Sequence, residues 1–431
     1  MKMNLFSERK IDKIFYNIMV LIFVLLVVRI IVSNGSAMRE IFQHSDLVDS
    51  GMDFFNSIIC TKDAEPYKVF KTLYPPLANM FFYFCYLCIP NELSSLWNVD
   101  WNNFYLLRTT NLDLRIWQAP LMLFILYVQI ITIAAFIIFK SSVYSKSSLF
   151  SISLLFTSGM LFALERGNII IVSMLILLYF VLIKDNKSMW KRECSLVALG
   201  VTSGLKIYPI IFSIILLKEK RYLDFLKSIV YFLFFLFVPF FFFNGFADIK
   251  IWIDVAFNVS TRNDMALGTN YLGFIQVVKT VIMSKYISKD IFLLISLDDI
   301  LKVSRYFILL FFVLSFVKIF FEKKTWKIYL ILSLIIAFTQ QHSPIYNTIF
   351  FIIPFIFFIN AERNLNKNNF LYFIFFLLIL IPLPSFGHLK IAHIIKFLDL
   401  FVIVIYVLID TIYDLYKTIE EKYLLCIRKE S

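Results

Sequence analysis

Long apolar runs separated by short polar gaps make up most of the chain, and many of them approach the roughly 20 residues that a bilayer-spanning helix needs. The pattern predicts an all-α polytopic membrane protein. Ten spans fit, at about 14–33, 117–139, 148–164, 167–183, 225–243, 303–321, 327–341, 345–360, 370–384 and 393–412. Two further runs break the parity of that count. The run 194–217 starts and ends beside basic segments and carries Lys206, Tyr208 and Pro209 in its middle, where a Lys followed by Tyr-Pro interrupts a helix. A re-entrant hairpin with Lys206 at its tip fits both facts. The run 73–90 would invert the following loops if it spanned, so it is either re-entrant or interfacial. With these two included, about 10–13 transmembrane or re-entrant helices are expected, in one domain covering 1–431.

Composition agrees with the pattern. Hydrophobic residues are 60% of the 431, and Phe alone accounts for 51. The formal charge is +12, but Lys and Arg concentrate in the gaps at 184–193, 218–227, 322–327 and 362–367. That distribution marks cytoplasmic loops under the positive-inside rule and points to no nucleic-acid partner. The first run follows Arg9, Lys10 and Lys13, has no small-residue cleavage site, and is expected to be a retained helix. The five Cys are scattered without a disulfide framework, and Cys85 and Cys88 fall inside an apolar run, as small packing residues do. The absence of a eukaryotic retention signal, with the bias to Lys, Ile, Phe and Asn, tilts the expectation toward a bacterial inner membrane.

Residues able to do chemistry sit in the predicted outer gaps. The loop 34–72 holds Asp46, Asp49 and Asp53, and a carboxylate at a membrane face can take a proton from an incoming hydroxyl. Solvated loop charge is the plain alternative for Asp46 and Asp49. Next comes Glu165-Arg166-Gly167-Asn168 between two apolar runs, where burying such groups is costly unless they pair with one another or with a ligand. A local Glu165–Arg166 pair capping a tight turn is the alternative there. Lys206 is placed to meet a lipid phosphate, with snorkelling to headgroups as its alternative. His342 sits in the turn QQHSPIYN and could contact a leaving phosphate. No Walker sequence, Gly-rich dinucleotide fingerprint, HExxH or Cys/His metal cluster occurs, so neither a nucleotide cofactor nor a metal is expected.

Taken in order, Asp53-Phe54, Pro66-Tyr67, Tyr74-Pro75-Pro76-Leu77, Gly167-Asn168 and Gly204-Leu-Lys-Ile-Tyr-Pro209 resemble the GT-C superfamily of integral membrane glycosyltransferases. The resemblance is nearest to glycosyltransferase family 87, the polyprenyl-phosphate-mannose-dependent mannosyltransferases, and 66–75 and 206–209 are also similar to the first GPI mannosyltransferase. It covers roughly 46–220. It implies that Asp53 is the catalytic base in an outer loop at 34–72, with Asp49 as a second carboxylate. It further implies a donor sugar, mannose first, on a polyprenyl phosphate held by Lys206, Arg166, Tyr208 and His342. Tyr67, Tyr74, Glu165 and Asn168 would then line the substrate site. The acceptor would be a glycolipid or lipid-linked oligosaccharide reached through membrane lipids at the outer face. The Asp-x-Asp form of some relatives is incomplete, because Gly51 holds its first position. A polymerase of lipid-linked polysaccharide repeats and a transporter or flippase are the rival classes. The outer gaps are rich in Asp and poor in Arg, unlike the expectation for the first, and the chain lacks the two matching halves of the second.

Overall fold

The computed structural model describes residues 10–38, 50–95, 113–258, 272–282, 297–340, 343–362, 365–367, 369–383 and 391–430. Asp46, Asp49 and His342 lie outside them. Every described element is helical or a turn, and no β-strand occurs among the described residues. Helices of eight residues or more are α1 Lys10–Val32, α2 Met52–Cys60, α3 Pro76–Tyr86, α4 Gln118–Ser142, α5 Ser148–Leu155, α6 Ser158–Arg166, α7 Ile170–Ile183, α8 Met189–Leu205, α9 Tyr222–Phe237, α10 Phe246–Asn258, α11 Phe274–Ile282, α12 Leu297–Phe321, α13 Thr325–Thr339, α14 Ile352–Ala361, α15 Phe370–Leu380 and α16 Ile391–Glu430.

Among the described residues five helices are long and apolar enough to cross a membrane, at Ile11–Val32, Gln118–Ser142, Tyr222–Phe242, Asp298–Phe321 and Ala392–Thr418. A sixth span follows if α5 and α6 count as one, although they bend by 58°. Neither Gly nor Pro makes that bend. Thr157, in extended conformation, turns its hydroxyl back to the Leu154 carbonyl and opens a new helix. The protein is therefore an integral membrane protein, and its exposed surface agrees: Met122, Leu126, Ile130, Ile133 and Ile137 form an uncovered apolar stripe on α4 that water would not tolerate. The α3 helix within 73–90 has 11 residues, about 16 Å, too short to span.

The chain divides into two compact units, Tyr16–Asp264 and the remainder, Met1–Phe15 with Met265–Ser431. In the second unit α13 is apolar all round and almost wholly buried, as a core helix must be. Lys396 of α16 donates to the carbonyls of Leu378, Ile379 and Ile381 at 3.1, 2.7 and 2.8 Å, satisfying groups that the end of α15 leaves without helical partners.

In the first unit, α7 and α8 run antiparallel and are joined by polar bonds between Ser173 and Thr202, whose hydroxyl oxygens are 2.7 Å apart. Gly200 and Gly204 let α8 close on α9: a Cβ on Gly200 would meet the Tyr231 backbone at 2.9 Å, and one on Gly204 the Phe235 carbonyl at 2.9 Å. This is the small-xxx-small spacing by which membrane helices approach closely. At one end of this trio Lys184 pairs with Asp185 and Glu219, Arg221 bonds Asp185, Glu219 and Asp224 at 3.0, 3.2 and 2.8 Å, and Lys227 bonds Glu193 at 2.7 Å. The basic gaps 184–193 and 218–227 therefore meet on one face. Asn168 and Lys206 mark the other end of α7 and α8, roughly 20–25 Å away along the helices.

That polarity predicts that a Cys at exposed Lys68 and a Cys at exposed Lys187, each in a Cys88→Ser background, react with an impermeant thiol reagent from opposite sides of the membrane. Labelling of both from one side would contradict the arrangement.

Candidate active site

Two left-handed glycines build the site. Gly51, at φ 71°, precedes α2, donates its N–H to the Glu165 carbonyl at 3.0 Å and accepts from the N–H groups of Phe54 and Phe55. Asp53 thus falls in the first turn of α2, where the helix dipole favours a carboxylate. The same glycine accounts for the incomplete Asp-x-Asp. A side chain at position 51 would begin 2.6 Å from the Phe55 ring on a backbone that L residues rarely adopt.

Gly167, at φ 65°, ends α6 in a Schellman turn, with the Asn168 N–H bonded to the Ala163 carbonyl at 2.9 Å. Asn168 then starts the next helix, its Oδ1 accepting from the Ile170 N–H at 2.9 Å. With the oxygen so committed, the Nδ2 group points the other way. It donates to Asp53 Oδ2 at 2.6 Å and to Tyr74 Oη at 3.2 Å. Arg166, one residue before the glycine, donates from Nη2 to Asp53 Oδ1 at 2.6 Å. Glu165, Arg166 and Asn168 therefore act as a unit, Glu165 through its backbone carbonyl.

The remaining cation enters from α8. That helix stops at Leu205 because Lys206 is extended and Pro209 follows, and Tyr208 opens the half-buried 3-10 turn Tyr208–Ser213. Lys206 Nζ lies 4.2 Å from the Tyr74 ring centroid, a cation–π contact. Tyr67 is fully buried among Leu236, Phe240 and Trp252, and its hydroxyl donates to the Tyr74 carbonyl at 3.0 Å. Asp53, Arg166, Asn168 and Lys206, singled out by their polar gaps, and Tyr74, named by the resemblance, thus converge from 53 to 206 in the sequence.

Burial pushes the Asp53 carboxyl up, but the Arg166 charge, the bonds from Arg166 and Asn168, and the nearby Lys206 charge outweigh it, so the group titrates below its usual range. Lys206 is pushed down to about 8 by burial, with Asp53 opposing the shift. The arrangement offers an ionised carboxylate beside two cations, suited to accepting a proton and to meeting a phosphate. Among the described residues no group of three His, Cys, Asp or Glu is placed to hold a metal ion.

A model of glycosyltransferase family 87 matches residues 73–294, just over half of the chain. The chain belongs to glycosyltransferase family 87. No curated protein and no solved structure matches it. The glycosyltransferase is therefore a membrane transferase with a sugar donor and an acceptor, and the matched segment contains Tyr74, Arg166, Asn168 and Lys206 but begins after Asp53.

Three supports of the site escape sequence reading. Asn79 donates to the Tyr74 carbonyl at 3.2 Å, Tyr127 donates to the Asn168 carbonyl at 3.1 Å, and Trp252 donates to the Leu73 carbonyl at 3.3 Å. Each lies within or beside an apolar run, where a single polar atom gives no signal.

A Cβ on Gly167 would sit 2.7 Å from Phe54 Cβ and 2.8 Å from the Phe124 ring. Gly167→Ala should lower stability by about 1–3 kcal/mol, read as a lower melting temperature in detergent, with transfer activity falling as well.

Proposed function

We propose that this glycosyltransferase is an inverting enzyme that moves a hexose, mannose first, from a polyprenyl-phosphate sugar to a glycolipid or lipid-linked glycan at the outer face of the membrane. The observation that carries the reading is the Asp53–Arg166–Asn168–Lys206 cluster at the end of α7 and α8 remote from the basic loops. By the positive-inside rule the remote end is the outer one, which in a bacterium faces the periplasm or the medium.

In the proposed step the acceptor oxygen attacks the anomeric carbon, its proton passes to Asp53, and the bond from that carbon to the phosphate oxygen breaks. The departing phosphate gains one negative charge. Lys206 and Arg166 stabilise that charge, as fixed cations in a water-poor site do most effectively. A guanidinium has five N–H donors, more than one carboxylate contact uses. A phosphate approaching Arg166 draws it away from Asp53 and so raises the basicity of that carboxylate as the donor arrives.

An apolar groove supports a lipid-linked donor. A cavity of about 610 Å³ beside the cluster is lined by Phe54, Phe81, Tyr127, Val172, Ile176 and others, and runs along α4 from Leu123 to Ile138, roughly 22 Å. Phe54 adjoins Asp53 in sequence, and Tyr127 holds Asn168, so two of the groove's lining residues are neighbours of the cluster. A polyprenyl chain is the occupant proposed.

Asp53→Asn keeps the size of the side chain and one of its two acceptor oxygens but removes the base, and turnover with polyprenyl-phosphate mannose should fall at least about 100-fold while donor binding persists. Near-normal turnover would remove Asp53 from the chemistry. The pH profile provides a second test. With Arg166 in place Asp53 is ionised across neutral pH, so kcat/KM for the donor, which reports the donor-free protein, shows no acidic limb from it near pH 5–7. Lys206 of the donor-free protein loses its charge as pH rises through about 8, so kcat/KM for the donor should fall there. Lys206→Arg should move the alkaline limb upward, because guanidinium stays charged. An alkaline limb unmoved by that substitution would separate Lys206 from the donor phosphate.

A further inference from the structure

Tyr74 is held more firmly than a tyrosine lining an open substrate site requires. Its carbonyl accepts from both Tyr67 Oη at 3.0 Å and Asn79 Nδ2 at 3.2 Å, and the preceding carbonyl, on Leu73, accepts from Trp252. Pro75 and Pro76 follow at once, fixing φ at two successive positions as α3 begins. Side-chain hydrogen bonds from Tyr67, Asn79 and Trp252 to two successive carbonyls therefore fix the backbone that carries this ring.

The immobilised side chain has two occupied surfaces. Its face carries the Lys206 ammonium 4.2 Å from the ring centroid, and its hydroxyl accepts from Asn168 Nδ2 at 3.2 Å. The same Asn168 group grips Asp53 Oδ2 at 2.6 Å. One ring thus lies between the cation that the proposed reaction gives to the phosphate and the amide that aims the carboxylate.

We infer that Tyr74 is a positioning residue that sets the distance between the phosphate-binding cation and the proton-accepting carboxylate, its ring acting on Lys206 and its hydroxyl acting through Asn168 on Asp53. The inference rests on the roles proposed above for Lys206 and Asp53. It separates two effects that a merely structural tyrosine would mix. Tyr74→Phe keeps the ring and removes the bond to Asn168. Tyr74→Leu removes both.

The experiment is steady-state transfer by the full-length protein in lipid nanodiscs, with a panel of labelled polyprenyl-phosphate hexoses, mannose first, and label release to glycolipid or water as the readout. Tyr74→Phe should lower kcat about tenfold with donor KM unchanged. Tyr74→Leu should lower kcat similarly and also raise donor KM about tenfold. In a Lys206→Met background, Tyr74→Leu should change donor KM by less than about twofold, because the group its ring positions is already gone. Melting temperatures of all variants, and of wild type, are measured alongside. Wild-type kinetics in Tyr74→Phe, or donor KM effects of Tyr74→Leu and Lys206→Met that multiply, would overturn the positioning role. So would a loss in Tyr74→Leu that tracks its melting temperature without the KM change. Asp53→Asn and Lys206→Met in the same assay keep the two levels apart: if both turn over normally, the reading of the site itself fails, whereas if both are impaired and Tyr74 misses its pattern, only the inference about Tyr74 fails.

Discussion

The ionised Asp53 carboxylate, held by Arg166 on one oxygen and Asn168 on the other, is the interaction on which the rest of the site depends. Removing it from water is unfavourable, and two charge-assisted bonds at 2.6 Å together with the nearby Lys206 charge offset that cost. Losing one partner would leave a largely buried charge uncompensated, a loss on the order of 3–5 kcal/mol. The carboxylate therefore ties α2 to the α6–α7 turn as well as standing where the proposed reaction needs a base.

The turn that meets it is shaped by a constraint on the backbone. Only a left-handed residue at 167 lets Arg166 end one helix and Asn168 cap the next while both side chains reach the same carboxylate. Gly51 makes the matching turn on the other side and is bonded to the first through the Glu165 carbonyl. Behind them, the glycines of α8 and the Ser173–Thr202 bonds hold Lys206 at the same end of the bundle as Asn168. Position at the site thus descends from helix packing, and packing from small residues at the right spacing.

Much of this was legible in the chain. Apolar runs announced the helices, and the polar gaps announced Asp53, Arg166, Asn168 and Lys206, because burying such groups in a membrane protein demands a compensating role. The pairing was not legible. Arg166 has a carboxylate as its immediate neighbour in Glu165, yet the ion pair to Asp53 spans 113 positions. Nor could the bend at Thr157 be anticipated, since a threonine that returns its hydroxyl to the preceding turn looks like any other within an apolar run. Asn79, Tyr127 and Trp252 were hidden for a related reason: each contributes one hydrogen bond to a carbonyl, and the surrounding sequence describes only the apolar surface they share.

In the proposed reaction this cluster receives the phosphate of a lipid-linked sugar. The most direct test of that role is a structure of the protein with a short-chain polyprenyl phosphate bound. Phosphate density is expected against Lys206 and Arg166, with the chain following the groove along α4. Phosphate density seated instead among Lys184 and Arg221 at the opposite end of α7 and α8, or touching neither Lys206 nor Arg166, would contradict that role.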